Sequence, residues 1–290
     1  MEDSIKYIKS VIREIGKRDK LHANTLKRNI LSGSDYDEIS DLIYDFFRGS
    51  KINPKTLADD YLHMIGDMRR EGTYFALNGQ YSCKSQQDAY EKVYSDPVVM
   101  SYYMNALIIS QVLWSHHFKM LMYFRDMLLH YKWGYIDVLD VGTGHGLYSY
   151  LVRKHIPVND IDVVDISKQS LDITRRMIGC NSIYFIQSDI ADHKTGYQYD
   201  LIILGEILEH LDDPLSMLLR LKSMLVDGGY LWITVPTNAP AIDHVFLFKS
   251  KEEVFRLIKT VGLHVDAHFD CQIEGDTHLI GLFCYKNEIQ

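Results

Sequence analysis

The sequence predicts an α/β protein: a mainly α-helical N-terminal domain, residues 1–130, followed by a doubly wound sheet domain, residues 131–290. Three observations carry this. From Tyr135 onward, short apolar runs alternate with amphipathic helical stretches, the pattern of parallel strands joined by crossover helices. Before that point, apolar residues recur mainly at helical spacing. The charge changes at the same place, because residues 1–130 carry as many basic as acidic side chains and the whole formal net charge of −8 lies beyond them. A composition of 47% hydrophobic and 24% charged residues over 290 positions excludes disordered, collagen-like and coiled-coil architectures.

The elements follow in order. Segment 34–49 is a helix with Ser34 as cap, Asp37 at capping-box spacing and Gly49 at its end. Its residues Ile39, Leu42, Ile43, Phe46 and Phe47 form one apolar stripe. Residues 55–70 make a second helix. In TYFALNGQYSC, Asn78-Gly79 sits between two β-prone arms and predicts a hairpin, so two helices and a hairpin suggest a winged-helix-like module or an irregular helical cap. Asp96-Pro97 opens a helix over 97–130, broken near Ser110. That helix is rich in aromatics and Met and also carries Tyr103, Asn105, Gln111, His116 and His117. Polar groups interleaved with aromatics beside a ligand-binding sheet suit a small-molecule pocket, and packing as a core helix is the alternative.

Five strand-like runs come next: IDVLDVG, IDVVDIS, SIYFIQSDI, YDLIILGEI and YLWITVP. Helices separate them, including 214–226, opened by Asp213-Pro214 and ended by Gly228-Gly229, and 251–261, opened by the box Ser250-x-x-Glu253. LHVDAHFDC and HLIGLFCYK are two further strands with no helix between them, which implies an antiparallel strand near one edge.

The chemistry concentrates at the first strand-to-helix turn, Asp140-Val141-Gly142-Thr143-Gly144-His145-Gly146. Glycines let the backbone pass close to a ligand, and the helix beyond presents free N–H groups. A dinucleotide fingerprint needs glycine where Leu147 stands, so the turn is not that motif. Asp165 closes the second strand, where a carboxylate can accept from both hydroxyls of a ribose. Asp189 and Ile190 close the third, where a carboxylate can accept from an adenine amino group. Carboxylates without a basic countercharge suit a cationic ligand.

VLDVGTGHG (138–146), VVDIS (163–167), QSDI (187–190), YDLIILGEILEHLDDP (199–214) and LVDGGYLWITVP (225–236), with the 248–263 stretch, resemble a class I S-adenosylmethionine-dependent methyltransferase of the small-molecule type. The resemblance covers about residues 135–286. It implies a Rossmann-like, seven-stranded sheet whose last strand is antiparallel, and S-adenosyl-L-methionine as cofactor. It also implies that Asp140, Gly142, Thr143, Gly144 and Gly146 cradle the amino-acid part, that Asp165 with Ile166 holds the ribose, and that Asp189 and Ile190 flank the adenine. Glu206 complements the cofactor's positive charge. In small-molecule O-methyltransferases a similar N-terminal module dimerises and covers the active site, so a lid and a homodimer are expected here.

Methyl transfer is an in-line displacement governed by alignment and desolvation, with a base required only for a protonated acceptor. His210 is the candidate at the end of the fourth strand, with Glu206 and Glu209 beside it. Tyr103, Asn105 and His117 are candidates on the N-terminal helix, where His116 and His117, being adjacent, point in different directions. Two other uses of the scaffold remain: an azetidine-2-carboxylate synthase, in which the cofactor's own amino nitrogen displaces methylthioadenosine, and a non-catalytic cofactor-binding subunit. No metal motif is expected, since His264 and His268 lack a nearby carboxylate pattern. The expected partner is a small molecule of specialised metabolism. The acidic balance disfavours nucleic acid. Scattered cysteines, no signal-peptide pattern and no apolar run of roughly 18 residues predict a cytoplasmic protein without a membrane span.

Overall fold

The structure, a computed structural model, describes residues 2–31 and 33–287. Helices α1 (Glu2–Gly16), α2 (Lys20–Asn29), α3 (Ser34–Gly49) and α4 (Pro54–Asn78) come first. A short α5 (Gln86–Ala89) continues into a π-helical turn at Tyr90–Tyr94, followed by α6 (Pro97–Leu113) and α7 (Ser115–His130). Asp96 caps α6 as expected, accepting from Val98 N and Val99 N with Pro97 beginning the helix. For α3 the cap is Gly33, with Ser34 already helical. The break between α6 and α7 falls at Trp114 rather than at Ser110. Trp114 is extended (φ −108, ψ 117), and its indole N–H donates to Tyr61 Oη on α4 at 2.7 Å.

The expected hairpin does not form. Helix α4 runs on through the first of the two β-prone arms, and Gly79, at φ +66, ends it as a left-handed cap whose N–H returns to Phe75 O. An Asn-Gly pair supplies the positive φ that both a tight hairpin and a helix C-cap require. Here α4 stays helical through residues 71–78, none of them buried, and Gly79 serves as its cap. No strand lies among the described residues before Ile136, so the N-terminal part is helical and not winged-helix-like.

Strands β1 (Ile136–Val141), β2 (Val158–Asp165), β3 (Ile183–Gln187), β4 (Tyr199–Gly205), β5 (Leu225–Thr237), β6 (His264–Glu274) and β7 (Thr277–Tyr285) form one 7-stranded sheet. Its order is β3-β2-β1-β4-β5-β7-β6, and β7 runs antiparallel to both neighbours. Helices α8 (Leu147–His155), α9 (Lys168–Ile178), α10 (Pro214–Met224) and α11 (Lys251–Val261) make the crossovers. Helix α10 stops at Met224, earlier than Gly228-Gly229, which lie inside β5 and exchange backbone hydrogen bonds with Lys286. The Glu253 carboxylate accepts from Lys249 N in place of a reciprocal box with Ser250.

Alternation along the strands divides the core. Val138, Leu201, Ile203, Trp232, Leu279 and Phe283 face one way and share a continuous cluster with α1, α3, α4, α6 and α7. Leu139, Ile202, Leu204, Leu231, Ile233 and Leu282 face α10 and α11. Phe124 of α7 seats on Trp232 with ring centroids 5.1 Å apart. On that face α7 covers β6 and β7, while α8 and α9 pack beside it on β2 and β3. No single helix among the described residues is long and apolar enough to cross a membrane.

Candidate active site

The strand order reverses between β1 and β4, and open α/β sheets bind ligands at the carboxyl ends of the strands beside such a reversal. A cavity of about 490 Å³ lies there, walled by the β1–α8 turn, the ends of β2 to β4, the Leu208–His210 3₁₀ turn, the 243–244 loop, α6 and the Tyr90–Tyr94 turn.

The β1–α8 turn has the shape its glycines allow. A Cβ on Gly142 (φ +67) would lie 2.2 Å from Ile207 Cδ1, whereas Gly144 (φ +53) has open space around that position. Gly146 (φ +75) does not line the cavity, because it packs on Thr174, where a Cβ would meet Cγ2 at 2.6 Å. The turn's place is fixed from below by Asp140, which accepts from Thr143 Oγ1 at 3.0 Å and Ser149 Oγ at 2.5 Å. Asp165 accepts from Ser167 N at 2.7 Å. Asp189 is exposed and accepts from Ala191 N at 2.8 Å, while Ile190 is buried and Ile166 half-exposed, all three on the cavity wall.

Glu206 follows β4 with φ +54, a left-handed conformation rare for a side chain of its size. The 3₁₀ turn beyond it carries Glu209, which is 1% exposed and has no hydrogen-bond partner on either carboxylate oxygen. Its backbone carbonyl accepts from Val245 N and Phe246 N, each at 2.8 Å, which draws the 243–246 loop against the turn. His210 Nδ1 thereby sits 3.0 Å from Asp243 O. Tyr94 donates to Asp243 Oδ2 at 3.0 Å, and Tyr103 donates to Oδ1 at 3.2 Å. His244 completes the group, its Nδ1 2.6 Å from Ala239 O.

Burial dominates the electrostatics. It pushes Asp140 up to about 6 and Asp165 up to about 7. Burial and then Asp243 raise Glu206 to about 7, and burial and then Glu206 lift Glu209 well above the carboxylate range. For Asp243 burial also acts upward, but His210, His244 and the Tyr94 hydroxyl outweigh it and hold its carboxyl below the ordinary value. Burial lowers His145 and His244 to about 4 and takes His117 well below the ordinary imidazole value, so all three are neutral. Among the described residues lining the cavity there is no Lys or Arg.

Of the expected chemical residues, His210, Tyr103 and His117 line the cavity. His117 is held there by Ser110 Oγ at 2.9 Å and Gln111 Nε2 at 3.1 Å. Asn105 is a correction: it points away, donating to Asp60 Oδ2 at 2.8 Å across the α4–α6 contact. Two positions along a helix turn a side chain to nearly the opposite face, so Tyr103 and Asn105 cannot both face the site. Tyr94, Tyr148, Asp243 and His244 line the cavity without having been singled out in the sequence. Asp243 and His244 carried a readable signal, since they lie in the loop at the carboxyl end of β5, on the edge where such folds bind.

A family model described as a methyltransferase domain matches residues 113–264, more than half of the chain. The chain belongs to the methyltransferase-domain family. The chain resembles a malonyl-[acyl-carrier protein] O-methyltransferase of Ilyobacter polytropus, 30% identical over 94 residues, covering 32% of this chain and 35% of the relative. It also resembles a ubiquinone biosynthesis O-methyltransferase of Coxiella burnetii, 31% identical over 136 residues, covering 46% and 56%. These curated relatives are therefore matched over only about a third to a little over half of their length.

Among solved structures, an O-methyltransferase family protein from Burkholderia thailandensis superposes with a TM-score of 0.54 at 15% identity, covering 80% of this chain and 72% of that one. The N-methyltransferase NodS from Bradyrhizobium japonicum, in complex with S-adenosyl-L-homocysteine, gives 0.50 at 20% identity, covering 59% and 87%. At these identities the likeness establishes the fold. A class I methyltransferase domain takes S-adenosylmethionine as its cofactor, and the residues present fit that group. Buried carboxyls with no Lys or Arg among the described residues of the cavity wall suit its ammonium and sulfonium, and the open space at Gly144 suits close approach of a ligand to the turn.

Proposed function

We propose that this protein is an S-adenosylmethionine-dependent methyltransferase acting on a small molecule. One observation carries the reading: a single cavity collects Asp140, Asp165, Glu206 and Glu209, all raised by burial, with no Lys or Arg among the described residues of its wall. Such a cavity selects a cation and rejects a phosphate. S-adenosylmethionine, when bound, supplies a methyl group activated by its sulfonium.

The chain's own residues divide the remaining work. Gly142, Thr143 and Gly144, backed by Asp140, receive the amino-acid portion. Asp165 accepts from the ribose hydroxyls, and Ile166, Asp189 and Ile190 flank the adenine. Helix α6 and the Tyr90–Tyr94 turn close the other side, where Met100, Met104 and Leu107 give an adaptable apolar wall for the acceptor. Excluding water there aligns the acceptor and strengthens each electrostatic contact. Glu206, poised near neutrality, takes the acceptor's proton, while Tyr103, His117 and His210 shape the pocket around it. The N-terminal helices act as the cover of the site.

The test is product analysis by mass spectrometry. Pure protein with S-adenosylmethionine should yield S-adenosylhomocysteine only after an acceptor from a panel of hydroxylated, carboxylated and amino compounds is added. Methylthioadenosine and a cyclic amino acid formed without an acceptor would overturn methyl transfer in favour of the cyclase. No cofactor binding by calorimetry would remove the reading altogether.

A further inference from the structure

Glu209, His210 and His244 stand together at one end of the cavity, each offering a ligand atom, with those atoms all within 4.8 Å of one another. We propose that these three side chains bind a divalent first-row transition-metal ion whose remaining coordination positions face the acceptor pocket.

The hydrogen bonding around the group prepares it for a cation. Both carboxylate oxygens of Glu209 are buried and without a partner, which is costly unless something binds them. Each imidazole is oriented through Nδ1. His244 Nδ1 lies 2.6 Å from Ala239 O and His210 Nδ1 lies 3.0 Å from Asp243 O, and a carbonyl can only accept, so each Nδ1 carries the proton. Tyr94, 3.2 Å from His210 Nδ1, directs its own hydroxyl hydrogen to Asp243 Oδ2 and so does not contest that assignment. Both Nε2 atoms are left as lone-pair donors. A ring N–H fixed on a backbone carbonyl, with the opposite nitrogen free, is the arrangement of metal-ligating histidines.

Spacing and donor type fit as well. His210 Nε2 is 3.8 Å from Glu209 Oε1, and the rings of His210 and His244 stand at 82° with centroids 4.9 Å apart. Bonds of about 2.0–2.2 Å bring ligand atoms to about 3–3.5 Å from each other, which small side-chain rotations reach. Two imidazoles and one carboxylate select zinc, iron, cobalt or manganese over magnesium, and three protein ligands leave coordination open. All three residues line the same cavity as Glu206.

The site itself does not depend on the proposed methyl transfer, but its role rests on that reading. A hydroxyl of the acceptor bound to the ion becomes more acidic, its proton passes to Glu206, and the oxygen is held as the nucleophile. The acceptor class this selects is a phenol, an enol or another chelating hydroxyl.

The experiment titrates untagged protein, stripped with a chelator, with Co²⁺ alone, following calorimetric stoichiometry and the visible d–d bands. One equivalent should bind with bands of an imidazole–carboxylate site, Zn²⁺ should displace it, and Mg²⁺ should not. Glu209→Gln and His244→Gln should each weaken Co²⁺ binding by 100-fold or more, with an unchanged far-ultraviolet circular dichroism spectrum and a cooperative thermal transition showing that the variant is folded, and His268→Ala should bind as the parent does. No stoichiometric uptake by the parent protein overturns the site whether or not any variant folds. Uptake unchanged in Glu209→Gln and His244→Gln, or displacement by Mg²⁺, overturns it equally. Metal uptake without turnover of any acceptor would sink the methyl-transfer reading and leave the site standing.

Discussion

At the scale of single residues, the site is governed by what burial does to carboxyl groups. Asp165 in the ligand-free protein is raised to about 7 from an ordinary 3.8, so the folded chain holds that proton more tightly than the unfolded one. Its linkage term therefore lowers folding stability as pH rises from about 4 to about 7, and binding of a cation beside the ionised group offsets the penalty. Cofactor affinity should follow ionisation. One pH unit below a pKa of about 7 leaves about a tenth of the groups charged, so calorimetry should find binding about tenfold weaker at pH 6 than at pH 8. Asp165→Ala should weaken binding by about tenfold or more at pH 8 and flatten that pH dependence. Equal affinity of parent and variant would detach Asp165 from the ribose. Tyr94→Phe and Tyr103→Phe each remove a donor from the buried Asp243 carboxylate, and thermal unfolding should show a loss of about 1–3 kcal/mol for each.

At the scale of elements, two glycines separate backbone conformation from packing. Gly79 ends α4 at φ +66 with nothing within 4 Å of a Cβ position. Gly79→Ala should therefore cost about 1 kcal/mol from conformation alone. Gly281 of β7 lies under α7, where a Cβ would meet Met120 Sδ at 2.5 Å and Trp232 Cη2 at 2.6 Å. Gly281→Ala should cost about 1–3 kcal/mol by overpacking a core in which Trp232 is fully buried. Denaturant midpoints measured side by side give the comparison, and a smaller loss at Gly281 than at Gly79 would contradict close packing of α7 on β7.

For the whole molecule, the N-terminal helices and one face of the sheet share a continuous apolar cluster. Tyr36 of α3 donates to Val112 O at 2.8 Å within it, tying α3 to the end of α6. Two regions without separate cores have no means of unfolding separately. Scanning calorimetry should show one transition with a calorimetric-to-van't Hoff enthalpy ratio near one, and two resolved transitions would show independent cores. The same sharing places α6 over the carboxyl ends of the strands, so the cavity has walls from both halves of the chain. Cofactor binding should therefore raise the single transition temperature as a unit, by mass action on the whole fold.

The sequence by itself determined the order of strands and helices from Tyr135 onward, the antiparallel return of β7, the glycine turn, and the acidic ends of β2 and β3. All of these rest on local chemistry, in which period and turn residues act over a few positions, and the fold follows from them with little ambiguity. Tertiary structure decided what local chemistry leaves open. It made Asn78-Gly79 the cap of α4 where the local pattern allowed a hairpin. It turned Asn105 away because helix α6 has only one face toward the cavity. It also brought Asp243 and His244 to Glu209 and His210 through two backbone hydrogen bonds on one carbonyl. No spacing pattern encodes that last encounter, since it depends on how the ends of two strands meet in the folded sheet.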